Sequence, residues 1–305
     1  MELIFLGTGA GVPSKGRNVT SLALMMLNER NAIWLFDCGE ATQHQILYSQ
    51  VKLSKVEKIF ITHMHGDHIF GLPGLLSSRS FQGGDSELVV YGPEGIKSYI
   101  ETSLALSGTH LSYPLRIEEI ALDGMVYQDE TIKVSCMELD HGISSFGFRI
   151  EESDKQGALD AEGLMQKGIK PGPLFKQLKD GEKVTLPNGE ILDGKDYIGP
   201  TQKGKVLAIF GDTRSFAREE ELARDADLIV HEATFEAEKG EMARAYMHST
   251  TKEAATLARN AEAKRLIITH ISSRYDKETS EQLVSEARSI FPKTEIASDL
   301  RTFEI

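Results

Sequence analysis

Short apolar runs punctuated by turn residues fill the first third of the chain, at residues 2–6, 21–26, 32–36 and 56–62. The last of these runs straight into a group of histidines. Brief β-rich runs at this spacing predict strands of an antiparallel or mixed sheet. The last third reads differently. Compact apolar runs at 206–210, 228–230 and 266–269 carry no polar alternation, the pattern of strands buried on both faces. Helical patterns separate them at 216–226, 251–263 and 280–290, the last stopped by Pro292. The prediction is an α/β protein whose sheets are covered by helices, a single domain over residues 1–305.

One stretch breaks this pattern. Between about 151 and 205 the chain carries Lys170-Pro171-Gly172-Pro173 and Leu186-Pro187-Asn188-Gly189, which read as turns and loops, not core elements. Residues 165–205 hold an excess of three positive charges. A solvated insertion and a protruding arm that meets a polyanion both fit, with the arm placed at 151–200. No internal repeat or low-complexity tract is evident.

Composition narrows the classes. The 305 residues are 40% hydrophobic and 26% charged, ordinary for a soluble globular protein. No apolar run approaches the roughly 18 residues needed to span a bilayer. The N-terminus lacks a basic segment followed by an apolar core, so a cytoplasmic location and no membrane association are expected. Two distant cysteines, Cys38 and Cys136, exclude a disulfide framework and a thiolate zinc finger, and read as small buried hydrophobes. A net charge of −12 argues against nucleic-acid binding by the whole surface, but not by a local basic patch.

The densest chemistry lies in Thr62-His63-Met64-His65-Gly66-Asp67-His68. Three imidazoles and a carboxylate packed behind a buried strand would be costly without a purpose. Imidazole with carboxylate and no thiolate suits a catalytic zinc or another borderline divalent ion. His63 and His65 can face one point at the strand end, Asp67 and His68 another, so one short motif can serve two adjacent ions. Elsewhere, the glycines of Gly7-Thr8-Gly9-Ala10-Gly11 are followed by Pro13 and polar residues, not a helix start. A dinucleotide fingerprint is rejected and no nucleotide cofactor is expected.

The motif His-x-His-x-Asp-His resembles that of the metallo-β-lactamase superfamily of two-metal hydrolases. The resemblance implies a four-layer αβ/βα sandwich and three further ligands at later strand ends, where His141, Asp212 and His270 stand. By the same resemblance His63, His65 and His141 would take one zinc ion, and Asp67, His68 and His270 a second, with Asp212 bridging. Two such charges lower the pKa of a shared water.

Four features are similar to the ribonuclease Z (tRNase Z) family within that superfamily. They are the loop Pro13-Ser14-Lys15-Gly16-Arg17-Asn18, the segment His231-Glu232-Ala233-Thr234, His248-Ser249-Thr250, and the lysine-bearing insertion where bacterial members carry a flexible RNA-binding arm. The family implies an endoribonuclease that trims the 3′ trailer of precursor tRNA after the discriminator base, working as a homodimer. His248 is then the candidate general acid, with Glu232 orienting it. Asp67 doubles as a proton acceptor, and Asp37 supports the site from behind its ligands. A capping box, Thr250 with Glu253, would fix the backbone near His248. Lys15, Arg17 and Arg274, with Lys170, Lys176 and Lys179 of the arm, are the candidate RNA contacts. The competing reading is a small-molecule phosphodiesterase or arylsulfatase-like hydrolase of the same fold.

Overall fold

A computed structural model describes all 305 residues, Lys277 through its backbone alone. The chain divides into two compact units, one of residues 1–129, 133–150 and 206–305, the other of residues 130–132 and 151–205.

The larger unit is built on two seven-stranded sheets. The first draws on β1 (Glu2–Gly7), β2 (Ser21–Met26), β3 (Ala32–Phe36), β4 (Val56–Phe60), β5 (Leu88–Pro93) and β6 (Leu115–Ile120). The second uses β7 (Gly124–Gln128), β8 (Ile132–Glu138), β9 (Phe146–Glu152), β10 (Val206–Ile209), β11 (Leu228–Glu232), β12 (Leu266–Thr269) and β13 (Thr294–Ile296). The last strand, β14 (Thr302–Glu304), returns to the first sheet, whose order is β14-β1-β2-β3-β4-β5-β6. The second runs β13-β12-β11-β10-β9-β8-β7. The first sheet is mixed as expected: β14-β1-β2-β3 pair antiparallel, β3 through β6 parallel.

Side-chain alternation explains the layering. Along β3, Ile33 and Leu35 pack with Leu72, Leu75 and Leu76 of the helix Leu72–Phe81, and so do Ile59 and Ile61 around β4. The intervening Phe36 and Phe60 stack at 5.0 Å and meet Phe148 of the second sheet at 5.9 and 5.3 Å. Residues two apart share a face, so one set faces helices and the other faces the opposing sheet. In the second sheet Ala208, Ile229, Leu266 and Ile268 pack with Ala254, Ala255 and Leu257 of the helix Thr251–Asn260. The result is helix, sheet, sheet, helix, and truncating a ring such as Phe60 to Ala would cost about 3–5 kcal/mol.

Helix bounds shift from the apolar pattern for local reasons. The helix expected at 216–226 is only Glu219–Ala223, preceded by turns in which Glu219 N donates to Phe216 O and Glu221 N to Arg218 O, and followed by Asp225 in the left-handed region. The one expected to reach residue 263 stops at Asn260, with Glu262 in the left-handed region. The last begins earlier, at Lys277, capped by the Asp276 carboxylate accepting from Thr279 N.

The smaller unit corrects the expectation of turns alone. Its glycines and prolines punctuate two short helices, Ala161–Gln166 and Pro173–Lys179, and a hairpin of Lys183–Thr185 with Ile191–Asp193. Leu164, Ile169, Leu178, Val184 and Leu192 form a buried core of its own. Pro173 stands in the first turn of its helix, where its missing N–H costs nothing, so a proline read as a breaker is a helix start.

Candidate active site

The chemistry-bearing residues sit just beyond strand ends. His63 and His65 follow β4, His141 follows β8, Asp212 follows β10, Glu232 ends β11 and His270 follows β12. Parallel β10, β11 and β12 deliver their carboxyl ends to one edge, the place where α/β sheets open into clefts. Gly211 permits the close approach there, since a Cβ would lie 2.7 Å from Thr62 Cβ and 2.8 Å from Phe146 O.

Two sets of donors converge. In one, His65 Nδ1 lies 3.1 Å from His63 Nε2 and 3.2 Å from His141 Nε2, and His63 Nε2 lies 3.6 Å from Asp212 Oδ2. In the other, His68 Nε2 and His270 Nε2 are 3.4 Å apart, and lie 3.6 and 3.4 Å from Asp67 Oδ2. Asp212 Oδ2 reaches into both, at 3.5 Å from His68 Nε2 and 3.3 Å from His270 Nε2. Atoms about 2.0–2.2 Å from one zinc ion in a tetrahedral array stand roughly 3.3–3.6 Å apart, so the spacing suits divalent ions.

Four of the imidazoles, those of His63, His68, His141 and His270, are held from behind. Thr62 Oγ1 lies 2.9 Å from His63 Nδ1, and Asp37 Oδ2 lies 2.7 Å from His68 Nδ1. Met247 O accepts from His141 Nδ1 at 2.8 Å, and Thr234 Oγ1 lies 2.9 Å from His270 Nδ1. Such partners fix ring orientation, so that the other nitrogen of each ring is the one presented to a cation at the centre. Asp37, Met247 and His270 all adopt positive φ, between 54° and 59°, a conformation these residues keep only when the surroundings impose it. Asp67 Oδ2 also accepts the Gly11 amide at 2.8 Å, which ties the N-terminal loop to the centre.

The electrostatics invite a cation. Burial, then neighbouring His68, holds His63 well below the usual histidine range, and burial followed by His141 lowers His65. Burial alone would raise Asp212, but His270, His68 and His63 hold it far below the carboxylate range. Asp67 likewise stays low against its burial, through His270 and His68. At His68 burial opposes charge, yet Asp212 and Asp37 outweigh it and raise the imidazole well above its ordinary value. Ionised carboxylates thus draw positive charge to the spot where the two donor sets meet.

A second device adjoins this centre. His248 Nδ1 lies 2.9 Å from Glu232 Oε1 and 3.9 Å from Asp212 Oδ2. Glu232 is buried and accepts the Thr213 amide at 3.1 Å and, through Oε2, the Thr234 amide and hydroxyl at 3.1 and 2.7 Å. Burial, the largest single influence, disfavours the charge on His248, but Glu232 and Asp212 together outweigh it and raise its pKa to about 9, while His248 keeps Glu232 below the usual range. The expected capping box is present: Thr250 accepts from Glu253 N, and Glu253 accepts from Thr250 N. A cleft of about 280 Å3 joins Asp67, Asp212, His248 and His270 to Gly11, Phe235, Tyr246 and Arg274. A larger one, about 440 Å3, opens near Tyr91, Arg116 and Met125 and has no histidine in its lining.

The candidate RNA contacts divide. Lys15 is exposed. Arg17 corrects the expectation of a free cation: its Nη1 donates to Thr8 Oγ1 and Ala297 O, each at 2.7 Å, beside Asp299, so it anchors the loop. Arg274 lines the cleft, its guanidinium 5.1 Å from the Phe235 ring centroid. In the smaller unit Lys170, Lys176 and Lys179 are exposed, while Lys167, Lys183 and Lys203 are held by Tyr197, Asp193 and Asp154. Sequence reasoning missed Thr62, Thr234 as a histidine partner, Met247 O and the Gly11 amide. A backbone carbonyl leaves no residue signal, and Thr234 stood inside a noted segment without an assigned part. Cys38 and Cys136 are buried and unpaired, and burial raises both thiols, Cys136 to about 11.

Residues 1–153 match a family model described as Anti-Pycsar protein Apyc1, which takes in the first histidine cluster and His141 but ends before Asp212. Over 305 residues the chain is 66% identical to ribonuclease Z of Listeria monocytogenes serotype 4b and 61% identical to ribonuclease Z of Bacillus cereus, with all of this chain and 99% of each relative covered. Among solved structures, human tRNase Z, short form, is 30% identical at a TM-score of 0.74, covering 100% of this chain and 99% of that one. The metallo-β-lactamase fold protein YhfI from Bacillus subtilis, 17% identical at a TM-score of 0.68 over 100% of this chain and 99% of that one, shares the fold. With every site-forming segment inside the full-length matches, the chain belongs to the ribonuclease Z family and has the metallo-β-lactamase fold.

Proposed function

We propose that this chain removes the 3′ trailer of precursor tRNA, cutting after the discriminator base to leave a 3′-hydroxyl on the tRNA and a 5′-phosphate on the trailer. In this reading His63, His65 and His141 would hold one zinc ion and Asp67, His68 and His270 another, with Asp212 available to both. The observation that carries it is the reach of Asp212 Oδ2 into both donor sets, with the Glu232-bound His248 ring 3.9 Å from the same oxygen, in a chain of this family. Bound there, such ions neutralise phosphoryl oxygens and make a water nucleophile available at neutral pH.

The remaining work falls to the protein. Asp67 is held firmly ionised, so its part is to accept a hydrogen bond from the attacking water and aim it. As the water oxygen, having released one proton to solvent, bonds to phosphorus, the bond from phosphorus to the 3′ oxygen breaks. That departing oxygen takes the proton from His248 Nε2, the ring nitrogen not engaged by Glu232. Glu232 keeps the imidazole charged until then. Lys15 and Arg274 meet phosphates beside the cut, and Lys170, Lys176 and Lys179 grip the tRNA body, a division that offsets the overall charge of −12. The working form in this proposal is a cytoplasmic homodimer. Among the described residues no helix is long and apolar enough to cross a membrane.

Incubation with a precursor tRNA bearing a 3′ trailer, with and without a chelator, tests the reading. A chelator-sensitive cut after the discriminator base is expected. Hydrolysis of aryl phosphodiesters or aryl sulfates with the tRNA left intact would instead favour the small-molecule hydrolase.

A further inference from the structure

Beside the metal-binding donors, the cleft has an aromatic wall that the proposed reaction does not use. Tyr246 stands at its rim with 65% of its surface exposed, its ring open to a ligand in the cleft. Buried Phe235 lies behind it, the two rings 6.3 Å apart and within 26° of parallel. Phe235 is itself held by the Arg274 guanidinium at 5.1 Å from its centroid. The chain runs from Tyr246 through Met247, whose carbonyl fixes His141, directly to His248. Tyr246 follows the end of the helix Gly240–Ala245, and Met247 turns the backbone at φ 59°, so the ring's place is coupled to that of the proton donor.

We infer that Tyr246, backed by Phe235, is the stacking platform for one unpaired nucleobase flanking the scissile phosphate. Every base presents a π-face, and stacking on an exposed aromatic ring is how single-stranded RNA is held without regard to base identity. The cleft, about 280 Å3, admits a nucleotide and not a helix, so the base must be splayed from its neighbours. Stacking it on Tyr246 brings its phosphate between Arg274 and the donors of the metal centre. The platform thus selects for an unpaired nucleotide at the cut. This inference rests on the RNA-cleaving function proposed above, and its test separates the two.

The experiment compares wild type, Tyr246→Ala and Tyr246→Phe on three precursor RNAs: intact, abasic on the 5′ side of the cut, and abasic on the 3′ side. On intact RNA Tyr246→Ala should lose about 5- to 150-fold in kcat/KM, the range of one base–aromatic stack, chiefly through KM. One abasic RNA should cost wild type a similar factor and erase its advantage over Tyr246→Ala, and Tyr246→Phe should restore the intact pattern. Equal impairment of Tyr246→Ala on all three RNAs, or none, would overturn the platform while leaving the cleavage reaction standing. A change in sedimentation of Tyr246→Ala alongside equal impairment would overturn it too, by assigning the ring to a contact between copies. Wild type failing to cut intact RNA would sink the functional reading and this inference together.

Discussion

Glu232 and His248 form a buried acid–base pair in which the carboxylate has no freedom: Oε1 faces His248 Nδ1 at 2.9 Å, and three donors from Thr213 and Thr234 occupy its remaining capacity. A carboxylate so enclosed cannot readily take a proton, and its charge is spent on keeping the imidazole protonated.

That relationship fixes a sign in the pH profile. Folded His248 has a pKa raised to about 9, so the acid form dominates below that value and is lost as pH rises through it. Cleavage should therefore fall on the alkaline side. In Glu232→Gln the descending limb should move to lower pH, with a rate loss of about 10²–10⁴-fold at its alkaline end. A cation near Asp212 displaces both curves downward and preserves their order. The new amide would also confront the Thr213 N–H, costing about 1–3 kcal/mol in a thermal melt. Superimposable pH profiles would refute the assignment of Glu232.

Asp37 touches no donor atom of the centre's inner face, yet it accepts from Thr62 N at 2.7 Å and Thr62 Oγ1 at 2.9 Å and holds His68 Nδ1 at 2.7 Å. Asp37→Asn should weaken zinc binding by about 10–100-fold, read by competition with a chromophoric chelator. Unaltered zinc affinity would mean that His68 does not depend on this support.

Neighbouring cations in one loop should behave oppositely. Arg17→Ala removes two 2.7 Å hydrogen bonds to Thr8 and Ala297 and should lower stability by about 1–3 kcal/mol in a denaturant titration. Lys15→Ala should stay within about 0.5 kcal/mol of wild type and reduce the salt dependence of RNA binding by roughly one phosphate contact. The reverse pattern would return Arg17 to the RNA surface.

Lys176 and Lys179 share one face of the helix Pro173–Lys179, opposite buried Leu178. Replacing both with Ser spares the small unit's core, which a deletion would destroy. The slope of log affinity for tRNA against log salt should fall by roughly one per lysine, and RNA cleavage should drop relative to hydrolysis of a nitrophenyl phosphodiester. A slope matching wild type would remove this helix from the tRNA contact.

Much of the architecture was legible in the amino-acid order because it rests on local periodicity. The runs at 21–26, 32–36 and 266–269 became strands without adjustment, and three helices fell near their apolar patterns. Where bounds moved, the cause was a single side chain or dihedral, such as the Asp276 cap or left-handed Glu262. The segment 151–205 was misjudged because a core this small needs few apolar residues, spread among turn formers, and shows no period.

By itself the order of residues determined the chemical types at the site: imidazoles and carboxylates spaced at strand ends, a histidine ahead of a capping box, lysines gathered in one insertion. Tertiary structure alone decided which nitrogen of each ring faces inward, that Asp212 reaches both donor sets, and that Arg17 is spent on the backbone while Lys15 is not. Those outcomes depend on contacts between residues up to 280 positions apart, such as Arg17 with Ala297. Composition and spacing carry no record of them, because directional bonds and burial arise only when distant strand ends are brought to one edge.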